Sequence, residues 1–450
     1  MALIKRLQKE TVEPEVNPKD PVAVRENHYQ DLKAKMHQDL IRHIDLGNLF
    51  KLDRDKAREE IQLILVNLLA ESKIPLNQAE EKKLIREVCD ETFGLGPLEP
   101  LLADPTISDI LVNSPAQTFV ERFGKLELTE VIFRDDLHLR QIIERIVSRV
   151  GRRIDESTPM VDARLPDGSR VNAVIAPLAL NGPSLSIRRF RKDPLRSQDL
   201  VSLGTINQEI ATLLELIVKA RLNILISGGT GSGKTTLLNV LSGFIPNSER
   251  IITIEDAAEL QLQQIHVVRL ETRPANVEGK GQILQRDLVR NSLRMRPDRI
   301  LVGEVRGPEA LDMLQAMNTG HEGSLTTIHA NSTRDAVHRL STMVLMAESN
   351  MVEWTLNRQI SSAIDVIIQV SRMADGVRRM VSLSEITGME GNVISMQDIM
   401  NFERKGVSST QTIMGDYKFT GVRPQFLDRL EKAGLLDNVR LPTFEGALRQ

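Results

Sequence analysis

The chain has 450 residues, of which 41% are hydrophobic and 26% charged, with a formal net charge of −3. That length exceeds what one hydrophobic core organises and calls for two or three domains. A near-neutral balance gives no overall positive field to attract nucleic acid, and 3% aromatic residues offer few rings on which bases could stack.

The single cysteine, Cys89, excludes an internal disulfide framework and suits a reducing compartment. No apolar run approaches the ~20 residues of a membrane span. The N-terminus lacks the long apolar core of a signal peptide. The expectation is a cytoplasmic protein without direct membrane insertion, whose links to a membrane run through partners.

Residues 1–21 are polar, contain Pro14, Pro18 and Pro21, and are expected to form a flexible tail. Over 22–90 the pattern is helical. Leu32, Met36, Leu40 and Ile44 recur at near-helical spacing, as do Ile61, Ile64, Leu65, Leu68 and Leu69. Asn77 is placed to cap a further helix with Glu80. This is a small helical bundle without chemistry, a docking or spacer module.

Over 91–191 the signals change to short strands at 107–112, 118–122, 170–175 and 184–188 and an amphipathic helix over 137–150, a compact α+β domain. Residues 192–204 read as a charged, proline-containing linker. From 205 to 450 strands at 223–227, 251–255, 299–304, 324–329 and 365–370 alternate with helical segments. That pattern predicts a mainly parallel sheet with helices on both faces.

The strand at 223–227 runs into Gly228-Gly-Thr-Gly-Ser-Gly-Lys-Thr235, followed by Thr236 and a helix. The glycines at 228, 229, 231 and 233, with Thr230 and Ser232 between them, let successive backbone N–H groups turn inward as an anion-binding nest. The helix N-terminus adds its positive dipole end. Lys234 can then reach the β- and γ-phosphates, and the Thr235 hydroxyl can hold Mg²⁺. The segment predicts binding of a nucleoside triphosphate, with ATP and Mg²⁺ as cofactors.

Three more segments fall at strand ends of this domain, where an open α/β sheet places its ligand. Glu304 ends a hydrophobic strand and can hold Mg²⁺ directly or through water. Glu255 can orient or deprotonate the attacking water. His321 or His329 can sense or contact the γ-phosphate, while His321 can equally cap a turn.

These boxes resemble the Walker A, Asp, Walker B and His boxes of the type II/type IV secretion ATPase superfamily. Ser292-Leu-Arg-Met-Arg-Pro-Asp-Arg-Ile300, Val302-Gly-Glu-Val-Arg306 and Gly182-Pro-Ser-Leu-Ser-Ile-Arg-Arg189 are similar to the CpaF branch, the tight-adherence (Flp) pilus assembly ATPases. The resemblance covers roughly residues 90–400. It implies a PAS-like domain joined to a RecA-like ATPase domain, and a homohexameric ring with nucleotide between subunits or domains. It further implies a motor acting on inner-membrane pilus platform proteins to drive pilin, with no nucleic acid as partner. It also implies that Arg170 and Arg188 reach the nucleotide phosphates, against the plain alternative of solvated pairs on a strand face. The tetracysteine zinc module of type II secretion members is missing. Two rival readings are a RecA-like nucleic-acid translocase and an ATP-gated scaffold with little turnover.

Overall fold

The computed structural model describes residues 21–43, 54–72, 76–190, 194–275, 280–348, 350–408 and 411–437. The expected tail, apart from Pro21, lies outside the described residues, as do Ile44, residues 191–193 of the linker and residues 438–450. The chain divides into two units, Met1–Arg189 and Phe190–Gln450.

Among its described residues the first unit opens with three helices, α1 (Pro21–His43), α2 (Arg54–Ser72) and α3 (Gln78–Phe93). Leu32, Met36 and Leu40 of α1 meet Ile61 and Leu65 of α2 and Leu84 and Val88 of α3 in one buried cluster. Asn77 caps α3: its Oδ1 accepts from the Ala79 and Glu80 N–H groups, and the Glu80 carboxylate returns to the Asn77 N–H. Three N–H groups at the helix start are thereby satisfied, those of Asn77 and Glu80 reciprocally.

A six-stranded antiparallel sheet follows, in the order β3-β2-β1-β6-β5-β4. Its strands are β1 (Ile107–Ser114), β2 (Gln117–Arg122), β3 (Lys125–Leu128), β4 (Met160–Arg164), β5 (Arg170–Val174) and β6 (Ser184–Arg188). The helix Asp136–Arg149 lays Leu139, Ile142, Ile143 and Ile146 into the same core as Ile110, Val171 and Ile187. The opposite face of the sheet carries the polar side chains, as alternation requires.

The second unit is built on a nine-stranded sheet, β15-β14-β13-β12-β7-β11-β10-β8-β9. The strands are β7 (Ile224–Gly228), β8 (Ile251–Glu255), β9 (Val267–Glu271), β10 (Arg299–Val305), β11 (Leu325–Ile328), β12 (Val366–Arg372), β13 (Arg378–Glu390), β14 (Val393–Val407) and β15 (Ile413–Phe419). From β12 across to β9 every pairing is parallel. Along β7, Ile224 and Ile226 face a core shared with Leu214, Leu237 and Leu241, whereas Leu225 faces a second core with Leu314, Leu340 and Ile360. Helices thus cover both faces of a RecA-like α/β sheet, with the P-loop strand at its middle.

The structure adds elements to the sequence reading, among them β3, β4 and β9. The segment read as linker contains a helix, Ser197–Ser202, started by Asp199 accepting from the Arg196 N–H at 2.7 Å. Beyond residue 370, β13, β14 and β15 extend the sheet antiparallel. Their partly exposed faces carry charges, so they lack the continuous apolar runs that mark the buried parallel strands. The buried Glu385 of β13 gathers the chain after β15: its carboxylate accepts from the Gln425 and Phe426 N–H groups at 2.8 and 2.6 Å.

Candidate active site

β7 is buried along its whole length and ends at Gly228, where the chain turns hard against β12. A Cβ at that position would stand 2.5 Å from the Val370 carbonyl oxygen, so a side chain is excluded. The loop reaches its helix, Lys234–Ser242, through Gly233 at φ 98°, a left-handed conformation natural to glycine. Inside the loop the Ser232 hydroxyl donates to the Gly229 carbonyl at 2.8 Å. Lys234 is 7% exposed, and its Nζ donates to the same carbonyl at 3.0 Å.

Because β7, β8, β10, β11 and β12 run parallel, their C-terminal ends gather on the P-loop side. That end receives Glu255 from β8, Glu304 from β10 and His329 just past β11. Both ring nitrogens of His329 lie 3.3–3.4 Å from Lys234 Nζ, and Nε2 lies 3.0 Å from Glu304 Oε1. Burial lowers the His329 pKa, the nearby Glu304 carboxylate opposes this, and Lys234, Arg306 and Arg339 push it down further. A neutral ring then accepts from the lysine and faces Glu304 Oε1, which is buried without a hydrogen-bond partner.

The other oxygen of Glu304 accepts from Arg306 at 2.7 Å, and Arg306 also lies 3.6 Å from Asp256. Arg306 is a site neighbour that the sequence reading did not single out. Its signal was its place two residues after Glu304 on a strand end, which sends both side chains to one face. An open depression of about 470 Å³ borders His329 and Arg306 and continues past Asp335, His338 and Arg339.

Glu255 is 3% exposed. Its Oε2 accepts from the Glu259 and Leu260 N–H groups at 2.7 and 2.9 Å, while its Oε1 is buried without a hydrogen-bond partner. Burial raises its pKa, and those two backbone donors only partly offset the effect. The Thr327 hydroxyl donates to the Gly303 carbonyl at 2.8 Å and ties β11 to β10 beside both acids.

The Thr235 hydroxyl and the Glu304 carboxylate are hard oxygen donors, the chemistry Mg²⁺ selects. Among the described residues no cluster of three or more His, Cys, Asp or Glu side chains could hold a metal by itself.

His321 sits before β11, at the opposite end of the sheet from the P-loop. Its Nδ1 lies 3.3 Å from the Ala316 carbonyl at the end of the helix Glu309–Asn318. The structure therefore places His321 at a helix end and leaves His329 as the histidine beside Lys234.

Arg170 and Arg188 belong to the first unit and face each other across β5 and β6. Arg188 Nε donates to Asp109 Oδ1 of β1 at 3.2 Å. Arg164 of β4 stands directly opposite Arg170. Three arginines thus align on neighbouring strands, and only the pairing register discloses the third.

A protein-family model described as type II/IV secretion system protein matches residues 91–412. The chain belongs to the type II/IV secretion ATPase family. It is 40% identical over 327 residues to a putative conjugal transfer protein of Mycobacterium tuberculosis, covering 71% of this chain and 92% of that one. It is 37% identical over 316 residues to the type IV secretion system protein PtlH of Bordetella pertussis, covering 64% and 93%. Among solved structures it resembles the VirB11 ATPase of the Brucella suis type IV secretion system, with 30% identity, 65% and 97% coverage and a TM-score of 0.35. It also resembles the Legionella pneumophila ATPase DotB, with 22% identity, 67% and 82% coverage and a TM-score of 0.46. In this secretion ATPase the helices α1 and α2 lie ahead of the matched segment. Among the described residues no helix is long and apolar enough to cross a membrane.

Proposed function

We propose that this secretion ATPase is an ATP-hydrolysing motor of the CpaF type, working as a homohexameric ring at the cytoplasmic side of an inner-membrane platform. There it drives assembly of a Flp or type IV-like pilus or a related secretion machine. The observation that carries the catalytic reading is His329, poised between Lys234 and Glu304. A P-loop lysine, a strand-end acid and a neutral imidazole converge where the γ-phosphate of a bound triphosphate belongs.

In this reading the backbone of residues 228–236 cradles the phosphates and Lys234 neutralises the β- and γ-oxygens. Mg²⁺ held by Thr235 and Glu304 would supply further charge neutralisation on those oxygens. Glu255 orients the attacking water and takes its proton as the new bond to γ-phosphorus forms and the bond to the ADP oxygen breaks. A carboxyl whose pKa is raised by burial is suited to that proton transfer near neutral pH. His329 reports phosphate occupancy to Glu304, because a change at Lys234 reaches the carboxylate through one ring. Arg170 and Arg188 add positive charge to the γ-phosphate as it departs.

Sizing of the purified chain with and without a non-hydrolysable ATP analogue, beside a phosphate-release assay, tests motor and ring together. Absence of turnover in the parent chain would leave a nucleotide-gated scaffold. In the parent cell, an allele carrying Glu304→Gln should remove the surface pilus or the secreted cargo. The conjugal transfer name of the Mycobacterium tuberculosis relative favours a second reading, a motor of a DNA-transfer apparatus. ATPase stimulation by DNA, or lost conjugation with intact pili, would select it.

A further inference from the structure

The turn between β12 and β13 lies far from the P-loop in sequence and in none of the family's boxes, yet it meets the loop's glycines. The turn is closed by the Met373 N–H on the Val377 carbonyl at 2.8 Å and the Gly376 N–H on the Met373 carbonyl at 2.9 Å. Asp375 braces it from within. Its Oδ1 accepts from the Val377 N–H at 3.0 Å, and its Oδ2 accepts from the Ile413 N–H of β15 at 2.9 Å and from Arg379 at 3.2 Å. From this support Arg378 crosses to the loop, where its Nε donates to the Gly231 carbonyl at 2.9 Å. Its Cδ lies 3.3 Å from the place a Cβ on Gly233 would occupy.

The peptide unit is planar and trans, so its C=O and N–H point opposite ways. A donor that fixes the Gly231 carbonyl also fixes the N–H of Ser232, which points into the loop 3.4 Å from the Gly229 carbonyl. Gly231 and Gly233 have φ of 68° and 98°, conformations that glycine exchanges for others at little cost. An anchor outside the loop is what selects one of them.

We propose that Arg378 is a positioning residue for the phosphate-binding loop. It holds the Gly231–Ser232 peptide in the orientation that turns the loop's N–H groups toward a phosphate, and Asp375 steadies the turn from which it reaches. The proposal rests on the P-loop reading. It predicts that Arg378 acts on nucleotide affinity rather than on the chemical step, because its guanidinium touches the loop and not the reacting atoms.

The test measures the Kd for Mg·ATP, KM, kcat and the Tm without nucleotide for Arg378→Ala, Arg378→Lys and Lys234→Ala in the full chain. Arg378→Ala should raise Kd and KM about tenfold, the size expected on losing a charge-assisted hydrogen bond, with kcat changed less than about threefold. Its nucleotide-free Tm should stay within about 2 °C of the parent. Arg378→Lys keeps the cation and the stem but lacks Nε, so its Kd should fall between. The proposal is overturned if both Arg378 variants bind Mg·ATP like the parent while Lys234→Ala does not. If Arg378→Ala fails to fold, Arg378→Lys decides by the same comparison. Normal binding by Lys234→Ala would sink the triphosphate reading itself.

Discussion

Gly303 and Glu255 share one space: a Cβ on Gly303 would stand 3.0 Å from Glu255 Cγ. The strand that carries Glu304 thus omits a side chain where its neighbour's carboxylate lies. Gly303→Ala should push Glu255 aside and lower kcat by about ten- to a hundredfold, since small misplacements of a reacting group are expensive. Nucleotide affinity should hold. An alanine variant with parental kcat would show that Glu255 does not need that position.

Lys234→Ala should abolish productive triphosphate binding. The loop's mobile cation is lost, and no neutral side chain can replace its reach to the β- and γ-oxygens. Isothermal titration with Mg·ATP reads the outcome directly. Near-parental hydrolysis in this variant would contradict the assignment.

Glu255→Gln should stop turnover, by about 10²–10⁴ in kcat for loss of a general base, while ATP still binds. Stability should move the other way. A carboxyl whose pKa is raised on folding favours the fold fully below its unfolded pKa, and this contribution is lost as pH rises through the folded value. At pH 8 the amide is free of that penalty and keeps an acceptor for the Glu259 and Leu260 N–H groups. The variant's Tm should match or exceed the parent's by about 1–3 °C; a clear fall would mean the ionised carboxylate is worth more than its burial costs.

His329 has the opposite dependence. Its pKa is lowered on folding, so the neutral ring's contribution is present above the usual histidine value of about 6.5 and is lost as pH falls through the folded value. ATPase activity should therefore be flat from neutral pH down to about 6.5 and drop below it, when a protonated ring repels Lys234. His329→Asn should lower turnover and take the drop attributable to this ring with it. A parental acid limb in that variant would place the titration elsewhere.

Arg188→Ala should fold and bind nucleotide but hydrolyse slowly, by up to about 10³-fold. Its partner Asp109, 3.2 Å away, supplies the comparison: Asp109→Asn frees the arginine without removing it and should retain turnover. Mixing Arg188→Ala with Lys234→Ala chains asks where the arginine acts. Partial recovery would mean it works on a neighbouring subunit's nucleotide; none, in assemblies shown to contain both chains, would mean it acts within its own chain or not at all.

The P-loop was legible because its instructions are contiguous: glycines, lysine and threonine at fixed spacing between a strand and a helix. The acids at strand ends were legible because buried parallel strands announce themselves as apolar runs. Between the two histidines the sequence reading favoured His329, because His321 can equally cap a turn. They flank the same four-residue strand, and only that strand's direction in the sheet decides which of them meets Lys234. Arg164 and Arg378 were invisible for a similar reason: one depends on the β4–β5 register, the other on a turn returning to a loop more than a hundred residues earlier. The strands after residue 370 escaped notice because a half-solvated antiparallel strand mixes charges with apolar residues.

The Glu385 clasp sets a lower limit on how far this protein can be shortened. A chain ending before Gln425 would leave a buried carboxylate with two of its donors gone. It would also withdraw Phe426, Leu427 and Leu430 from the core beneath the P-loop strand. The unsatisfied carboxylate costs about 1–3 kcal/mol and each lost core side chain about 2–5 kcal/mol. The helix Leu427–Lys432 is a fastener for the sheet that carries the P-loop, and a protease that nicks ahead of it would loosen that loop's footing from a distance.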